Sequence, residues 1–234
     1  MPSLYVPELE ALSAGAEFRL EGEEFHHLAH VAKRRLQAPI LLNSGRGTLA
    51  WAKVESLNPK FALLSIPSLH KTPFPVRPFA IGFALLKNRH DELLVEKCSE
   101  LGVSDLFPLI TERSVRRSAD SNRFERISLA AIKQCDNPWL PKIHGTLELT
   151  QALGAMRNAG YQPILCSERK DGRPLRHFEP DLKPCFLIGP EGGWSDDEFS
   201  LMEPLPRLKL AELITRAETA AITAAAQWQG LCQA

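Results

Sequence analysis

The chain has 234 residues, and this length excludes a single small domain while allowing two domains or one large one. Apolar residues make up 44% of the chain and charged residues 24%, which suits a folded protein with a sizeable core. Lysine and arginine together number 28, as do aspartate and glutamate, so the composition disfavours a strongly basic nucleic-acid binder but not local basic patches.

The cysteines and the apolar runs bear on the compartment and on metal binding. The five cysteines are odd in number and none shows CxxC spacing, which is typical of reduced, buried thiols, so we expect no metal site. No run of about 18 apolar residues is present, and residues 1–8 lack the basic and apolar regions of a signal peptide. We therefore expect a cytoplasmic protein without a membrane span.

The first seventy residues read mainly as β-structure. Residues 41–42, 48–55 and 61–66 have the apolar character of strands, and the turn signal Asn-Ser-Gly-Arg-Gly at 43–47 separates the first two. One short helix is expected near residues 23–35. Several short strands joined by tight turns favour a small barrel.

A proline-rich segment separates this region from the rest of the chain. Four prolines fall between residues 67 and 78, a composition that cannot continue a helix and is typical of an extended linker. We place a domain boundary there, between residues 1–72 and residues 73–234.

Beyond the boundary, strand-like and helix-like segments alternate. The expected strands are 79–86, 106–110, 163–166, 185–188 and 208–210, and the expected helices are 91–101, 122–135, 150–158 and 216–231. This alternation predicts an α/β domain with a mostly parallel sheet covered on both faces.

A glycine-rich loop follows the apolar strand at 185–188. It reads Gly-Pro-Glu-Gly-Gly at 189–193, and a Ser-x-x-Glu capping box at Ser195 and Glu198 then predicts a helix. Glycines without Cβ atoms would let a ligand lie against the backbone, and Glu191 places a carboxylate where ligands of open α/β folds bind. A plain strand-to-helix turn remains an equally simple interpretation.

The last helix opens with a second polar segment. Thr215 is a possible N-cap, which leaves Arg216 at the first helical position, where a cation opposes the helix dipole. Such an arginine can act elsewhere, by pairing with Glu191 or by contacting a phosphate. A solvated arginine is the simpler alternative.

Together these segments resemble a known family. Ile-Gly-Pro-Glu-Gly-Gly-Trp-Ser at 188–195, followed by Arg-Ala-Glu-Thr-Ala at 216–220, resembles the SPOUT (α/β-knot) methyltransferases. Glu-Lys-Cys-Ser-Glu-Leu-Gly-Val at 96–103 and Glu-Arg-Ser-Val at 112–115 are most similar to segments of the bacterial 16S ribosomal RNA uridine-N3 methyltransferase family. The sequence departs from the family pattern after Gln134, at Asp136–Asn137, at residues 31–38 and at Ala211–Glu212.

The resemblance implies a fold, a cofactor and partners. It implies an RNA-binding PUA-like β-barrel at residues 1–72 and a SPOUT α/β trefoil-knot methyltransferase domain at 73–234. It also implies S-adenosyl-L-methionine as the cofactor, 16S rRNA or the small ribosomal subunit as the substrate, and a homodimer. The alanine-rich last helix suits a tight dimer contact and equally suits packing within the chain.

The resemblance also implies site residues. Those expected to bind the cofactor are Leu165, Ser167, Ile188, Gly189, Pro190, Glu191, Gly192, Leu210, Leu213, Thr215 and Thr219. Those expected to contact RNA phosphates are Lys33, Arg34, Arg35, Arg113 and Arg116.

The candidate catalytic residues are Arg216 and Glu218. Uridine N3 attacks a methyl group well only after it loses its proton, so the site must stabilise an anionic uracil or accept that proton. A guanidinium can donate two hydrogen bonds to a uracil carbonyl edge, which suits Arg216. Glu218 and Glu191 either accept the proton or hold the loops, and we favour the structural role.

Two alternatives stay open. The chain is either a SPOUT methyltransferase with another RNA target, such as a ribose 2′-hydroxyl or a tRNA base, or a non-catalytic RNA-binding protein that kept the fold. A Rossmann-type methyltransferase and a serine hydrolase are disfavoured, because the sequence has no G-x-G-x-x-G at the first βα unit and no G-x-S-x-G.

Overall fold

The structure is a computed structural model that describes residues 2–31, 38–167, 171–179 and 181–233. It divides into two compact units, one formed by residues 1–74 and 129–140 and the other by residues 75–128 and 141–234. The sequence predicts two contiguous domains, residues 1–72 and 73–234. The structure differs in that residues 129–140 belong to the first unit.

Hydrogen bonds explain why residues 129–140 belong to the first unit. The backbone N–H of Ser3 donates to the carbonyl of Lys133 over 2.9 Å. The side-chain amide of Asn43 donates to the carbonyl of Asn137 over 2.8 Å, and the N–H of Gly47 donates to the carbonyl of Pro138 over 2.8 Å. These partners are far apart in sequence, so local patterns give no sign of them.

The first unit is built on a curled sheet, as the mainly β pattern of its sequence predicts. Its strands are β1 (Leu4–Tyr5), β2 (Ala16–Leu20), β3 (Ile40–Asn43), β4 (Thr48–Leu57) and β5 (Ala62–Lys71), and its helix is α1 (Gly22–Val31). Within the described residues the sheet order is β1-β3-β4-β5-β2, with β1 parallel to β3 and the other pairs antiparallel. Alternate residues of β4 and β5 are buried, which fills the core beneath the sheet.

Strand β5 continues through Pro67, so the linker expected from the prolines begins too early. The ladder between β4 and β5 shifts register between the pairs Trp51–Ser68 and Lys53–Ser65, and Pro67 lies within that irregularity. Proline has no N–H to donate, and bulges are among the few places in a sheet where this is tolerated. The strand therefore ends only at Lys71.

The second unit is built on a parallel sheet. Its strands are β6 (Ala80–Ala84), β7 (Asp105–Ile110), β8 (Lys142–Ile143), β9 (Leu147–Glu148), β10 (Gln162–Cys166), β11 (Pro184–Ile188) and β12 (Arg207–Leu208). In the described part of the chain the order is β12-β10-β11-β6-β7-β8, with β9 also pairing with β7, and every pair is parallel. The expected parallel sheet is confirmed.

Helices cover both faces of this sheet. They are α2 (His90–Glu100), the first part of α3 (Ser121–Cys135), α4 (Leu149–Asn158), α5 (Asp196–Leu201) and α6 (Ala217–Gln233). One apolar cluster joins Phe83 and Ile81 to α2 and α6, and a second joins Phe107 and Leu109 to α4. All of β6 is buried as a result, which explains its continuous apolar sequence.

The small residues of α6 pack inside the second unit. Ala221, Ala224 and Ala225 are fully buried in the cluster that α6 shares with α2. Further along the helix, the indole N–H of Trp228 donates to the carbonyl of Arg77 over 3.2 Å. These three alanines therefore serve packing within the chain. No helix among the described residues is both long and apolar enough to cross a membrane.

The order of the strands creates a crevice in the second unit. From β6 the chain moves to β7 on one side, whereas β10, β11 and β12 lie on the other side of β6. At such a reversal the loops leaving neighbouring strands diverge, and ligands of open α/β sheets bind beyond the carboxyl ends of those strands. The crevice therefore lies beyond the ends of β6, β10 and β11.

Candidate functional site

A cavity of about 550 Å³ lies at the carboxyl ends of these strands. It is enclosed by the residues that follow β6, β10, β11 and β12 and by the start of α6. Its lining residues are His90, Cys166, Ser167, Ile188, Gly189, Pro190, Glu191, Trp194, Leu210, Ala211, Leu213, Ile214, Thr215, Arg216, Ala217, Glu218 and Ala220. This size and mixed polarity are typical of small-molecule sites.

The glycine-rich loop is shaped by Trp194. A Cβ added at Gly189 would lie 2.8 Å from the indole nitrogen of Trp194, closer than side chains approach one another. Trp194 itself is only 5% exposed. Gly193 adopts φ +69°, which favours glycine, and its N–H donates to the carbonyl of Pro190 over 2.9 Å in a tight turn. The loop therefore needs glycine for packing and for backbone conformation.

The capping box predicted after this loop is confirmed. The hydroxyl of Ser195 accepts the N–H of Glu198 over 3.3 Å, and the Glu198 carboxylate accepts the N–H of Ser195 over 2.9 Å. The other carboxylate oxygen of Glu198 accepts the N–H of Glu112 over 2.9 Å. The loop after β11 is thus tied to the loop after β7 as well as to α5.

Glu191 holds the loop that leads to α2. Its carboxylate oxygen accepts the backbone N–H of Lys87 over 3.0 Å. The next two residues, Asn88 and Arg89, adopt φ values of 50° and 59°. Arginine rarely adopts this left-handed conformation, which costs on the order of 1–3 kcal/mol and is found mainly at functional sites. His90 follows this turn as the first residue of α2, and it lines the cavity.

Arg216 lies at the mouth of the cavity. Helix α6 begins at Ala217, and the carbonyl of Arg216 accepts the N–H of Ala220 over 2.8 Å. Arg216, rather than Thr215 as predicted, therefore occupies the N-cap position. The side chain is exposed and forms no ion pair with Glu191 or with any other described residue. The guanidinium is therefore available to a ligand.

Glu218 lies deeper in the cavity wall. It is 8% exposed and belongs to the first turn of α6, where a carboxylate is stabilised by the helix dipole. One of its oxygens lies 3.4 Å from Nδ1 of His90. The cavity therefore presents a cation at its mouth and a histidine–carboxylate pair behind it.

The predicted cofactor residues divide into two groups. Those that line the cavity are Ser167, Ile188, Gly189, Pro190, Glu191, Leu210, Leu213 and Thr215. Leu165 is fully buried in the core against α4, Gly192 lies against Arg113, and Thr219 is exposed on α6 away from the lining. These three residues are close in sequence to lining residues but do not themselves line the cavity.

The sequence reasoning missed His90, a polar residue of the cavity lining. The lining also includes Cys166, Trp194, Ala211, Ile214, Ala217 and Ala220, which lie between or beside the predicted site residues in the sequence. His90 could have been found as a polar residue shortly after the carboxyl end of a buried strand, which is where such sheets place ligand groups. The thiol of Cys166 is not a nucleophile here, because burial raises its pKa and keeps it neutral.

The predicted RNA-contacting arginines have different surroundings. Arg113 is exposed, and its guanidinium donates to the carbonyl of Gly192 over 2.9 Å. Arg116 forms an ion pair with Asp91, which is fully buried. Burial raises the pKa of Asp91, and the positive charge of Arg116 opposes that rise. Arg116 thus neutralises a buried carboxylate, whereas Arg113 faces solvent.

The remaining predicted RNA contacts, Lys33, Arg34 and Arg35, lie outside the described residues. Within the described ranges no group of three or more histidine, cysteine, aspartate or glutamate side chains could hold a metal ion.

Comparisons with known proteins agree with the geometry of this site. A family model described as an RNA methyltransferase domain matches residues 72–229. The ribosomal RNA small subunit methyltransferase E of Synechocystis is 27% identical over 228 residues, which are 93% of this chain and 74% of that protein.

Two solved structures are similar over almost the whole chain. That of a ribosomal RNA small subunit methyltransferase E from Neisseria gonorrhoeae, bound to S-adenosyl methionine, has a TM-score of 0.88 at 25% identity and covers 99% of this chain and 98% of its own. That of a putative methyltransferase from Legionella pneumophila, with bound cofactor SAM, has a TM-score of 0.80 at 26% identity and covers 94% of this chain and 93% of its own. With the family model covering more than half of its residues, this chain belongs to the RNA methyltransferase domain family.

Proposed function

We propose that this chain transfers a methyl group from S-adenosyl-L-methionine to N3 of a uridine in the 16S rRNA of the small ribosomal subunit. The observation that carries the proposal is the cavity at the carboxyl edge of the parallel sheet, which brings the Gly-Pro-Glu loop together with Arg216 and Glu218. Relatives named ribosomal RNA small subunit methyltransferase E, one of them with S-adenosyl methionine bound, support the choice of substrate and cofactor.

The residues of the cavity fit this cofactor. S-adenosyl-L-methionine carries an adenine with an apolar face, a cationic sulfonium, an ammonium group and a carboxylate. Apolar side chains such as Ile188, Leu210 and Leu213 suit the adenine, and the carboxylate of Glu191 suits a cationic group.

Bound there, the cofactor would supply a methyl group already activated by its sulfonium. The chain's own residues would hold it, chiefly Ser167, the loop 188–191, Leu210, Leu213 and Thr215. Of the other residues implied by the family resemblance, Leu165, Gly192 and Thr219 lie behind or beside this lining, and we assign them a supporting role.

Arg216 is suited to stabilise the target base. Its guanidinium is exposed at the mouth and free of ion pairs with described residues, so it can donate two hydrogen bonds to a uracil carbonyl as negative charge develops on the ring. Glu218 is mostly buried, which suits a group that positions others rather than one that meets the RNA.

We further propose that the first unit is a PUA-like barrel that binds RNA, that the α/β domain contains a trefoil knot, and that the protein acts as a homodimer. The curled five-stranded sheet of the described first unit supports the barrel. Arg113, exposed beside the glycine loop, supports an RNA contact near the cavity, and Arg116 remains a candidate with about a third of its side chain exposed. Lys33, Arg34 and Arg35 complete the proposed phosphate contacts.

The proposal is tested by methyl transfer to small ribosomal subunits. Purified protein and labelled S-adenosyl-L-methionine are incubated with subunits from cells that lack the modification, and the digested RNA is analysed by mass spectrometry. N3-methyluridine at a single site is the expected product. A methyl group found on a ribose or on another base would mean that the enzyme has a different target from the one proposed. Absence of both methyl transfer and cofactor binding would favour a non-catalytic RNA-binding protein.

A further inference from the structure

We propose that His90 is the general base that removes the N3 proton of the target uridine, and that Glu218 positions its ring and stabilises its protonated form. The inference rests on the proposed uridine-N3 methylation. It names the group that accepts the N3 proton, which the proposed function does not. It places the base at the start of α2, after the turn that the bond from Lys87 to Glu191 joins to the glycine-rich loop.

The geometry selects His90 among the groups of the cavity. Its side chain is 36% exposed and lines the cavity, whereas the side chain of Glu218 behind it is 10% exposed. Nδ1 of His90 lies 3.4 Å from a carboxylate oxygen of Glu218, which leaves Nε2 as the nitrogen on the far side of the ring. A base must reach its proton directly, and the imidazole, not the carboxylate, is the exposed member of this pair.

The other groups of the cavity suit this role less well. The carboxylate of Glu191 already accepts the backbone N–H of Lys87. The thiol of Cys166 stays protonated because burial raises its pKa. Arg216 has no acceptor to offer. Among the described lining residues, His90 therefore combines access to the cavity with a ring nitrogen that can accept a proton.

The turn before His90 holds the ring in place. Asn88 and Arg89 are both left-handed, and the bond from Lys87 to Glu191 fastens this turn to the loop that ends β11. Asparagine tolerates this conformation, but an arginine in it persists only where surrounding contacts hold it, and here the loop after β11 supplies such a contact. The position of His90 is therefore set by the site itself.

In the proposed reaction, a methyl group replaces the proton on N3 of the uridine. The N3–H bond breaks, its proton moves to Nε2 of His90, and its electron pair stays on N3. That pair forms the bond to the methyl carbon while the pair of the methyl–sulfur bond returns to sulfur, which leaves S-adenosylhomocysteine. His90 then releases the proton to solvent, and no oxidant or further reactant is required.

Charged groups of both signs lie near His90. Arg89 precedes it at the start of α2, and Arg216 lines the same cavity. Glu218 from α6, Glu191 from the loop after β11 and the ion-paired Asp91 of α2 carry the opposite charge. Of the charged groups in the described part of the chain, Glu218 is the one in contact with the ring, so it is the group placed to hold the ring and to pair with it once it has accepted the proton.

The test measures single-turnover methyl transfer to small ribosomal subunits as a function of pH, for the full-length wild type, His90→Gln and Glu218→Gln. We expect His90→Gln to lower the rate by about 100-fold or more and to abolish the acid limb of the profile. Glu218→Gln should lower the rate by about tenfold and move the acid limb to lower pH, because the protonated ring loses its carboxylate. Binding of S-adenosyl-L-methionine, measured by calorimetry, should change less than about threefold in His90→Gln.

A matched control is His177→Gln, since His177 is an exposed histidine of the same unit that lies outside the cavity. It should keep the wild-type rate and profile. The inference is overturned if wild type forms N3-methyluridine and His90→Gln does so at a similar rate with the acid limb intact, or if lost cofactor binding accounts for its whole defect. Absence of N3-methyluridine with wild type is a separate result, which rejects the proposed function and this inference together.

Discussion

The cavity has two walls that are built differently. The packed wall is the loop from Ile188 to Trp194, which is held by the buried indole of Trp194, a tight turn and a capping box. The charged wall is formed by the turn before α2 and the start of α6, which present His90, Arg216 and Glu218. The bond from Lys87 to Glu191 joins the two walls. This difference fits the proposal that the packed wall binds the cofactor and the charged wall meets the target base.

Replacing Trp194 should cause the largest damage to the packed wall. Trp194→Ala removes a side chain that is 5% exposed, and buried tryptophans lost in this way cost about 3–5 kcal/mol of folding free energy. The glycine loop loses its support at the same time, so cofactor binding should fall with stability. Chemical denaturation and calorimetry measure the two effects.

The exposed Trp51, with 57% of its surface accessible, provides the control. Trp51→Ala should cost much less stability and leave cofactor binding unchanged. Equal losses in the two variants would mean that Trp194 does not hold the packed wall.

Removing Arg116 should destabilise the base of the charged wall. Arg116→Met leaves the carboxylate of Asp91 buried without its partner, and breaking a buried pair in this way costs about 3–5 kcal/mol near neutral pH. Burial already raises the pKa of Asp91, so protonation removes the buried charge at low pH. The loss should therefore be small at acidic pH and grow as pH rises through the folded-state pKa of Asp91.

Urea denaturation of Arg116→Met and of Arg117→Met across pH provides the measurement. Arg117 is exposed and donates to the carbonyl of Thr111 over 3.0 Å, so its loss should cost only about 0.5–1.5 kcal/mol. A defect in Arg116→Met that does not depend on pH would show that the charge of Asp91 is not its cause.

A single methyl group at Gly189 should have the smallest of these effects on folding. Gly189→Ala places Cβ about 2.8 Å from the indole nitrogen, and overpacking of this kind costs roughly 1–3 kcal/mol. Because the displaced atoms line the cavity, cofactor affinity measured by calorimetry should fall as well.

Gly154→Ala is its control. Gly154 lies inside α4 with nothing within 4 Å of an added Cβ, so alanine should stabilise that helix by roughly 0.5–1 kcal/mol. If Gly189→Ala binds the cofactor as tightly as wild type does, the packing of the glycine loop is not needed for cofactor binding.

The two walls also differ in how far the sequence predicts them. The packed wall follows from local patterns, since an apolar strand, a glycine loop and the Ser195–Glu198 box are contiguous in sequence. The charged wall depends on contacts between residues far apart, such as His90 with Glu218 and Lys87 with Glu191. Neither spacing nor propensity reveals such pairs.

The fold shows the same contrast between local and distant order. The longer strands of the second unit and the helices α2, α3, α4 and α6 were predicted close to their observed bounds, because periodicity and the end glycines Gly102 and Gly160 are local signals. The two-residue strands β8 and β9 were not predicted. The return of residues 129–140 to the first unit and the passage of β5 through Pro67 were not foreseen. Both features depend on which strand or loop, distant in sequence, pairs with the segment.

The most direct test that one wall binds the cofactor and the other meets the target base is the variant Arg216→Ala. Its thermal stability, its cofactor affinity and its single-turnover methyl transfer to small ribosomal subunits are measured. Arg216 is exposed and lacks an ion pair with any described residue, so stability should change by less than about 0.5 kcal/mol and cofactor affinity should stay near that of wild type. The rate should fall by about 100- to 1,000-fold, as when a preorganised donor to a developing anion is lost. An unchanged rate, or a loss of cofactor affinity as large as the loss of rate, would contradict the account.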